Sequence, residues 1–205
     1  MKERKIQPVD SNADKHRTYS ENMARYNLAM KQEFYFEAML IDYAILEDRL
    51  YSMLYHIGAL ESRTDTRLYK PTQKQIKAIV NRYDPNVSRF AITELSSKTK
   101  ILRSIARWAG ETAGEPENDK YLSLLKEQFS AVEDMETAFQ CLDDWRDYRN
   151  EVIHGLMNKN MDSLHAELSQ RCADGMKLAR YFDSQLRLIK KGNRIRRALK
   201  LKTSQ

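Results

Sequence analysis

Glycine and proline are scarce in this chain, 6 and 4 among 205 residues, whereas leucine, alanine, glutamate, lysine, arginine, glutamine and methionine are plentiful. With so few residues that break helices or form tight turns, a strand-and-turn architecture is excluded, and nearly every segment is expected to be helical. Cysteine is limited to Cys141 and Cys172, without the paired spacing of a zinc site. Two cysteines make no disulfide framework in a chain this long, so both are expected to be reduced helix residues in a cytoplasmic compartment. No apolar run approaches the roughly 18 residues of a membrane span. The opening Met1-Lys2-Glu3-Arg4-Lys5-Ile6-Gln7-Pro8 is not a basic-then-apolar leader. The expectation is a soluble, unexported protein with no membrane partner and no metal or cofactor.

The fold class that follows is all-α, an antiparallel helical bundle. Length favours one domain over two small ones. We expect a single helical domain over 1–186 with an N-terminal extension, and a basic tail over 187–205. A helix over about Arg17 to Leu60, with a break near Lys31 as an option, carries Phe36, Met39, Leu40, Tyr43, Leu46, Leu50, Met53, Leu54 and Ile57 at helical spacing. That stripe reads as core rather than as a cofactor box. Pro71 and Thr72 open a second helix that Asp84-Pro85-Asn86 stops near Tyr83. Further helices are expected over about Ser96 to Ala109, Asp119 to Phe129, Ala131 to His154, and from Asp162 into the tail. Gly110 to Asn118 is the clearest loop.

Charge is unevenly placed. From Arg187 onward there are eight basic residues and no acid: Arg187, Lys190, Lys191, Arg194, Arg196, Arg197, Lys200 and Lys202. Within the remainder, Arg63 to Arg107 holds 11 basic against 3 acidic residues, and Glu111 to Glu151 holds 12 acidic against 4 basic. The tail and the basic middle section could gather RNA phosphates with salt-sensitive binding. Equally, the tail could be a solvated helix end while the acidic and basic sections pair with each other.

The most informative segment runs Asp144-Trp145-Arg146-Asp147-Tyr148-Arg149-Asn150-Glu151-Val152-Ile153-His154-Gly155. It sets Arg149, Asn150 and His154 near the end of one amphipathic helix in the pattern R-N-x-x-x-H. Arginine can hold a phosphate, an amide can orient a neighbour, and histidine titrates near neutral pH, which suffices for metal-free RNA cleavage. With 18 Arg, 10 Asn and 4 His in the chain, the bare R-x4-H pair is expected by chance about 0.3 times and the Asn-containing form about 0.02 times. At 100° per residue, Asn150 and His154 share a face with Arg146 one turn earlier, while Arg149 stands about 140° from His154 if the helix stays regular. Gly155 offers a place for the last turn to loosen. A purely structural alternative has Arg149 pairing with Asp147 or Glu151 and His154 satisfying terminal carbonyls.

The motif resembles the signature of the HEPN superfamily, whose nucleases carry R-x(4 to 6)-H, often with a polar residue directly after the arginine. The likeness covers about Phe139 to Leu156. It implies a four-helix core with extra helices and metal-independent endonucleolytic cleavage of RNA. In that scheme His154 is general acid or base, Arg149 neutralises charge on the phosphoryl oxygens, and Asn150 orients. It also implies a homodimer, in which two motifs meet across a two-fold axis so that each site draws on both chains. A toxin or antiphage-defence setting follows, close to abortive-infection members of the family, with an antitoxin, guide or activator as partner. The toxin subgroup that reads R-x4-H-x-Y has tyrosine where this chain has Leu156, so modification there is not expected. RNA contacts would fall to Arg146, Arg187, Lys190, Lys191, Arg194, Arg196 and Arg197. Some members of the family keep the fold only as binding modules, and a non-catalytic helical module that binds RNA or protein is the alternative. Of the other histidines, His16 and His56 show no neighbours of note, and His165 reads as a surface residue.

Overall fold

The protein is described here by a computed structural model covering residues 6–8, 12–85, 90–130, 134–155 and 161–202, the side chains of 130 and 161–166 excepted. Its elements are α1 (Ala13–Lys31), α2 (Tyr35–His56), α3 (Lys70–Tyr83), α4 (Leu95–Glu111), α5 (Lys120–Ser130), α6 (Met135–Gly155), α7 (Met161–Lys190), a 3-10 turn (Lys191–Asn193) and α8 (Arg194–Ala198). Among the described residues the chain is therefore all-α, with one isolated bridge between Arg67 and Ala91. None of the helices searched is long and apolar enough to cross a membrane.

Local chemistry sets most boundaries. Asn12 caps α1 by accepting a hydrogen bond from the Lys15 amide at 3.0 Å. The break at Lys31 is real: Glu33 takes a left-handed φ of 61°, and the Phe34 amide returns to the Ala29 carbonyl at 2.8 Å. Pro71 sits in the first turn of α3, where its missing N–H loses nothing. Asp119 caps α5, its Oδ1 accepting from the amides of Tyr121 and Leu122 at 2.8 and 3.1 Å. The expected ends at Asn86, Ala131 and Leu156 lie outside the described residues. Along α2 the apolar stripe is buried at Met39, Leu46, Leu50, Met53 and Leu54, but Leu40 is exposed, at the edge of the stripe rather than within it.

The chain divides into two compact units, the first drawn from the stretches Met1–Glu47 and Gln140–Asp183, the second from Asp48–Phe139 and Ser184–Thr203. The basic C-terminal residues belong to the second unit, and Ile195 and Arg196 are fully buried.

In the first unit, Trp145 of α6 donates from Nε1 to the Arg171 carbonyl of α7 at 2.8 Å. Tyr26 of α1 donates to the Cys172 carbonyl at 3.1 Å. Gly175 is needed here, because a Cβ would stand 2.8 Å from both Asp42 Oδ2 and Trp145 Nε1. Both cysteines are free thiols, Cys141 exposed and Cys172 buried. Burial, aided by the nearby Asp42 carboxyl, pushes the Cys172 thiol up to about 12.

Asp42 itself is fully buried, and neither of its oxygens has a hydrogen-bond partner. Burial pushes its pKa up to about 9, against the pull of Arg180. A carboxyl whose folded pKa is raised contributes stability that is fully present below its ordinary value of 3.8 and is lost as pH climbs through 9. Asp42→Asn keeps the shape without the ionisation. The variant is expected to gain at least about 2 kcal/mol over the wild type at pH 8 and little at pH 4.5. Urea unfolding at the two pH values checks this, and parallel stability curves would contradict it.

In the second unit α3 packs on α4, α4 on α5, and α5 on α8. The basic middle section and the acidic section do pair. Arg103 and Arg107 both hold Glu136, Nε to carboxylate at 2.8 and 2.9 Å, and Arg82 reaches Glu111 at 3.2 Å. Burial would raise the Glu136 pKa, but hydrogen bonds from Arg107 and Arg103 outweigh it and hold the carboxyl down to about 2.

Candidate active site at the end of helix α6

Helix α6 buries Met135, Phe139, Leu142, Trp145 and Val152. At 100° per residue Arg149 falls on that same side, between Leu142 and Trp145, while Asn150 lies at its edge and His154 beyond it. The Trp145 bond to α7 anchors the helix one turn before Arg149.

Arg149 is half-buried. Its guanidinium lies over the ring of Tyr43 of α2 at 4.5 Å, and one Nη1 hydrogen is donated to Asn150 Oδ1 at 3.0 Å. Its Nε–H is buried with no acceptor. No described carboxylate comes within ion-pair distance, so the alternative pairing with Asp147 or Glu151 is not made. A guanidinium ordered from one side and lacking an anion on the other is unusual, since buried donors are nearly always satisfied.

His154 is exposed, as is its neighbour Ile153. The helix stays α-helical through Gly155, so the last turn does not loosen. Five residues at 100° each leave Arg149 and His154 about 140° apart around the axis. One chain thus presents both groups at the same end of α6 without converging them.

The remaining RNA-contact candidates separate. Arg146 is occupied by Asp143 at 2.7 Å and by Asp147 at 2.9 Å. Arg194 is tied to Glu127. Arg196 is fully buried, and its donors go to the carbonyls of Tyr55, Leu60, Glu61 and Lys202 at 2.8 to 2.9 Å. Folded as it is, Arg196 has no face for a phosphate and is a structural residue. Arg187 and Lys190 are half-buried, while Lys191 and Arg197 are exposed and form no ion pair among the described residues.

Sequence reasoning passed over three residues. Tyr43 reads as one more apolar position in a stripe, yet it carries Arg149. Asp42 breaks that stripe with a charge, which is the signal that could have found it. His56 is buried, its Nδ1 3.1 Å from Asn193 Oδ1 and its Nε2 3.4 Å from Arg63 Nη2. Because a guanidinium only donates, Nε2 accepts and Nδ1 carries the proton. Burial, then the charges of Arg63 and Lys190, push His56 down to about 3, so it stays neutral and structural. The side chain of His165 lies outside the described residues.

Among the residues searched, no group of three or more His, Cys, Asp or Glu is placed to hold a metal ion. No protein-family model, curated protein or solved structure matches this chain.

Proposed function

We propose that the protein is a metal-independent endoribonuclease of HEPN type, acting as a homodimer whose sites each combine Arg149 and Asn150 of one chain with His154 of the other. The observation that carries this reading is Arg149, held by Asn150 and Tyr43 with a buried Nε–H that has no acceptor. A phosphoryl oxygen would supply the missing acceptor, and its charge grows as the reaction proceeds. The divergence of Arg149 and His154 within one helix calls for a second copy, and a two-fold contact through this end of α6 would also cover the exposed Ile153.

In the reaction, the ribose 2′-oxygen attacks the adjacent phosphorus as its proton passes to a general base. The O2′–P bond forms, the P–O5′ bond breaks, and the departing 5′-oxygen takes up a proton. His154 serves one of these proton transfers and Arg149 neutralises the pentacoordinate phosphorane. The products are a 2′,3′-cyclic phosphate and a 5′-hydroxyl. A toxin or antiphage-defence role, with a controlling antitoxin, guide or activator, belongs to the same proposal.

The test is a labelled structured RNA incubated with the protein in EDTA, with the new ends identified. Cyclic-phosphate and 5′-hydroxyl ends are expected; 5′-phosphate ends, or cleavage only after a divalent cation is added, would contradict the reading.

A further inference from the structure

Separate from the α6 motif, the second unit contains a pocket of about 380 Å³ bounded by α3, α4 and the start of α5. That volume is in the range of small-molecule sites. Its floor is apolar, with Ile79, Trp108 and Leu122, and two cations of α3, Lys74 and Arg82, stand on its wall. Eight residues of helix separate these two, a rise of about 12 Å. Lys74 is exposed and has no carboxylate partner among the described residues. Arg82 gives one Nη2 hydrogen to Glu111, leaving other donors for an anion.

Gln75 supplies the third feature. Its Nε2 donates to Asp119 Oδ2 at 3.1 Å, and Asp119 is in turn fixed as the α5 cap. The amide is therefore held in one orientation, and its Oε1 is buried with no partner. An acceptor left without a donor beside this pocket calls for an N–H, just as the cations call for an anion. Asp119 keeps its negative charge, since hydrogen bonds from Gln75 and from the Leu122 and Tyr121 amides hold its pKa down, so it is Lys74 and Arg82 that set where an anion sits.

We propose that this pocket binds a nucleoside monophosphate, an amino-bearing base lying against Ile79 and Trp108 with its N–H on Gln75 Oε1, and the phosphate reaching Lys74 and Arg82. A free nucleotide and a terminal nucleotide of an RNA strand present the same chemistry. The assignment does not depend on the ribonuclease reading.

The full chain provides its own reporter: of its two tryptophans, Trp108 lines the pocket and Trp145 lies in the first unit. Adenosine monophosphate titrated to about 5 mM should shift the Trp108 indole ¹H–¹⁵N resonance saturably and leave Trp145 still. Lys74→Ala should weaken the response about tenfold, and adenosine without phosphate should be weaker by a similar factor. Ala78→Phe, at an exposed lining position, should abolish the shift, while a dispersed Trp108 resonance in the free variant confirms that the second unit is folded. A 5′-phosphorylated RNA tetramer tighter than the mononucleotide would assign the strand end as the source; the reverse would assign the free nucleotide. No saturable Trp108 shift, or binding indifferent to Lys74→Ala and Ala78→Phe, would overturn the proposal. His154→Ala should leave the shift unchanged, so a failed cleavage assay and a failed titration are separate results.

Discussion

Alanine at His154 is expected to slow RNA cleavage about 10²- to 10⁴-fold, the usual contribution of one positioned acid or base. Alanine at Arg149 is expected to slow it about 10²- to 10³-fold, as for loss of one donor to a developing oxyanion. Neither should unfold the protein. His154 is exposed, and Arg149 holds a buried donor unsatisfied, so its removal relieves a desolvation penalty. Tyr43→Leu should retain the fold and lower the rate less than Arg149→Ala does, because it frees the guanidinium without deleting it. Single-turnover cleavage, with thermal unfolding as control, measures all three. Cleavage by His154→Ala within threefold of wild type would remove histidine from the mechanism.

The largest effect on stability is expected at Arg196. Its guanidinium joins the end of α2 and the turn after it to the C-terminal segment, through the carbonyls of Tyr55, Leu60, Glu61 and Lys202, and it lies 3.6 Å from the Tyr55 ring centroid. Methionine would keep much of the stem and strand four carbonyl acceptors, those of Tyr55 and Leu60 in buried hydrogen bonds and those of Glu61 and Lys202 in part-buried ones. Arg196→Met is expected to destabilise the protein by about 3 to 5 kcal/mol. Lysine should rescue only part of this, since a single ammonium cannot span a forked set of carbonyls. Denaturant unfolding decides it: a loss below about 1 kcal/mol would mean that Arg196 behaves as the solvated tail residue its sequence context suggests.

Arg196 also shows where sequence reading stops. In a run of eight basic residues without an acid, each looks alike, and only the fold singles out the one whose side chain is drawn among backbone carbonyls. Elements written in local chemistry were legible: Pro71 and Asp84-Pro85 bracket α3, and the break near Lys31 separates α1 from α2. The motif was legible as a spacing, including the 140° divergence. Its support was not. Tyr43 lies more than 100 residues before Arg149, and nothing in either segment announces the other. The same holds for His56, whose partners Arg63 and Asn193 meet it only through the packing of the second unit.

The composite site can be tested by mixing two inactive chains. Arg149→Ala and His154→Ala proteins, refolded together in equal amounts and assayed on RNA in EDTA, should form mixed dimers in half of all pairings. Each mixed dimer carries one intact site and one doubly substituted site, so about a quarter of wild-type activity should return. Activity near that level, absent from either variant alone, is the predicted result. A mixture as inactive as its components, beside an active wild type, would contradict an active site shared between two chains.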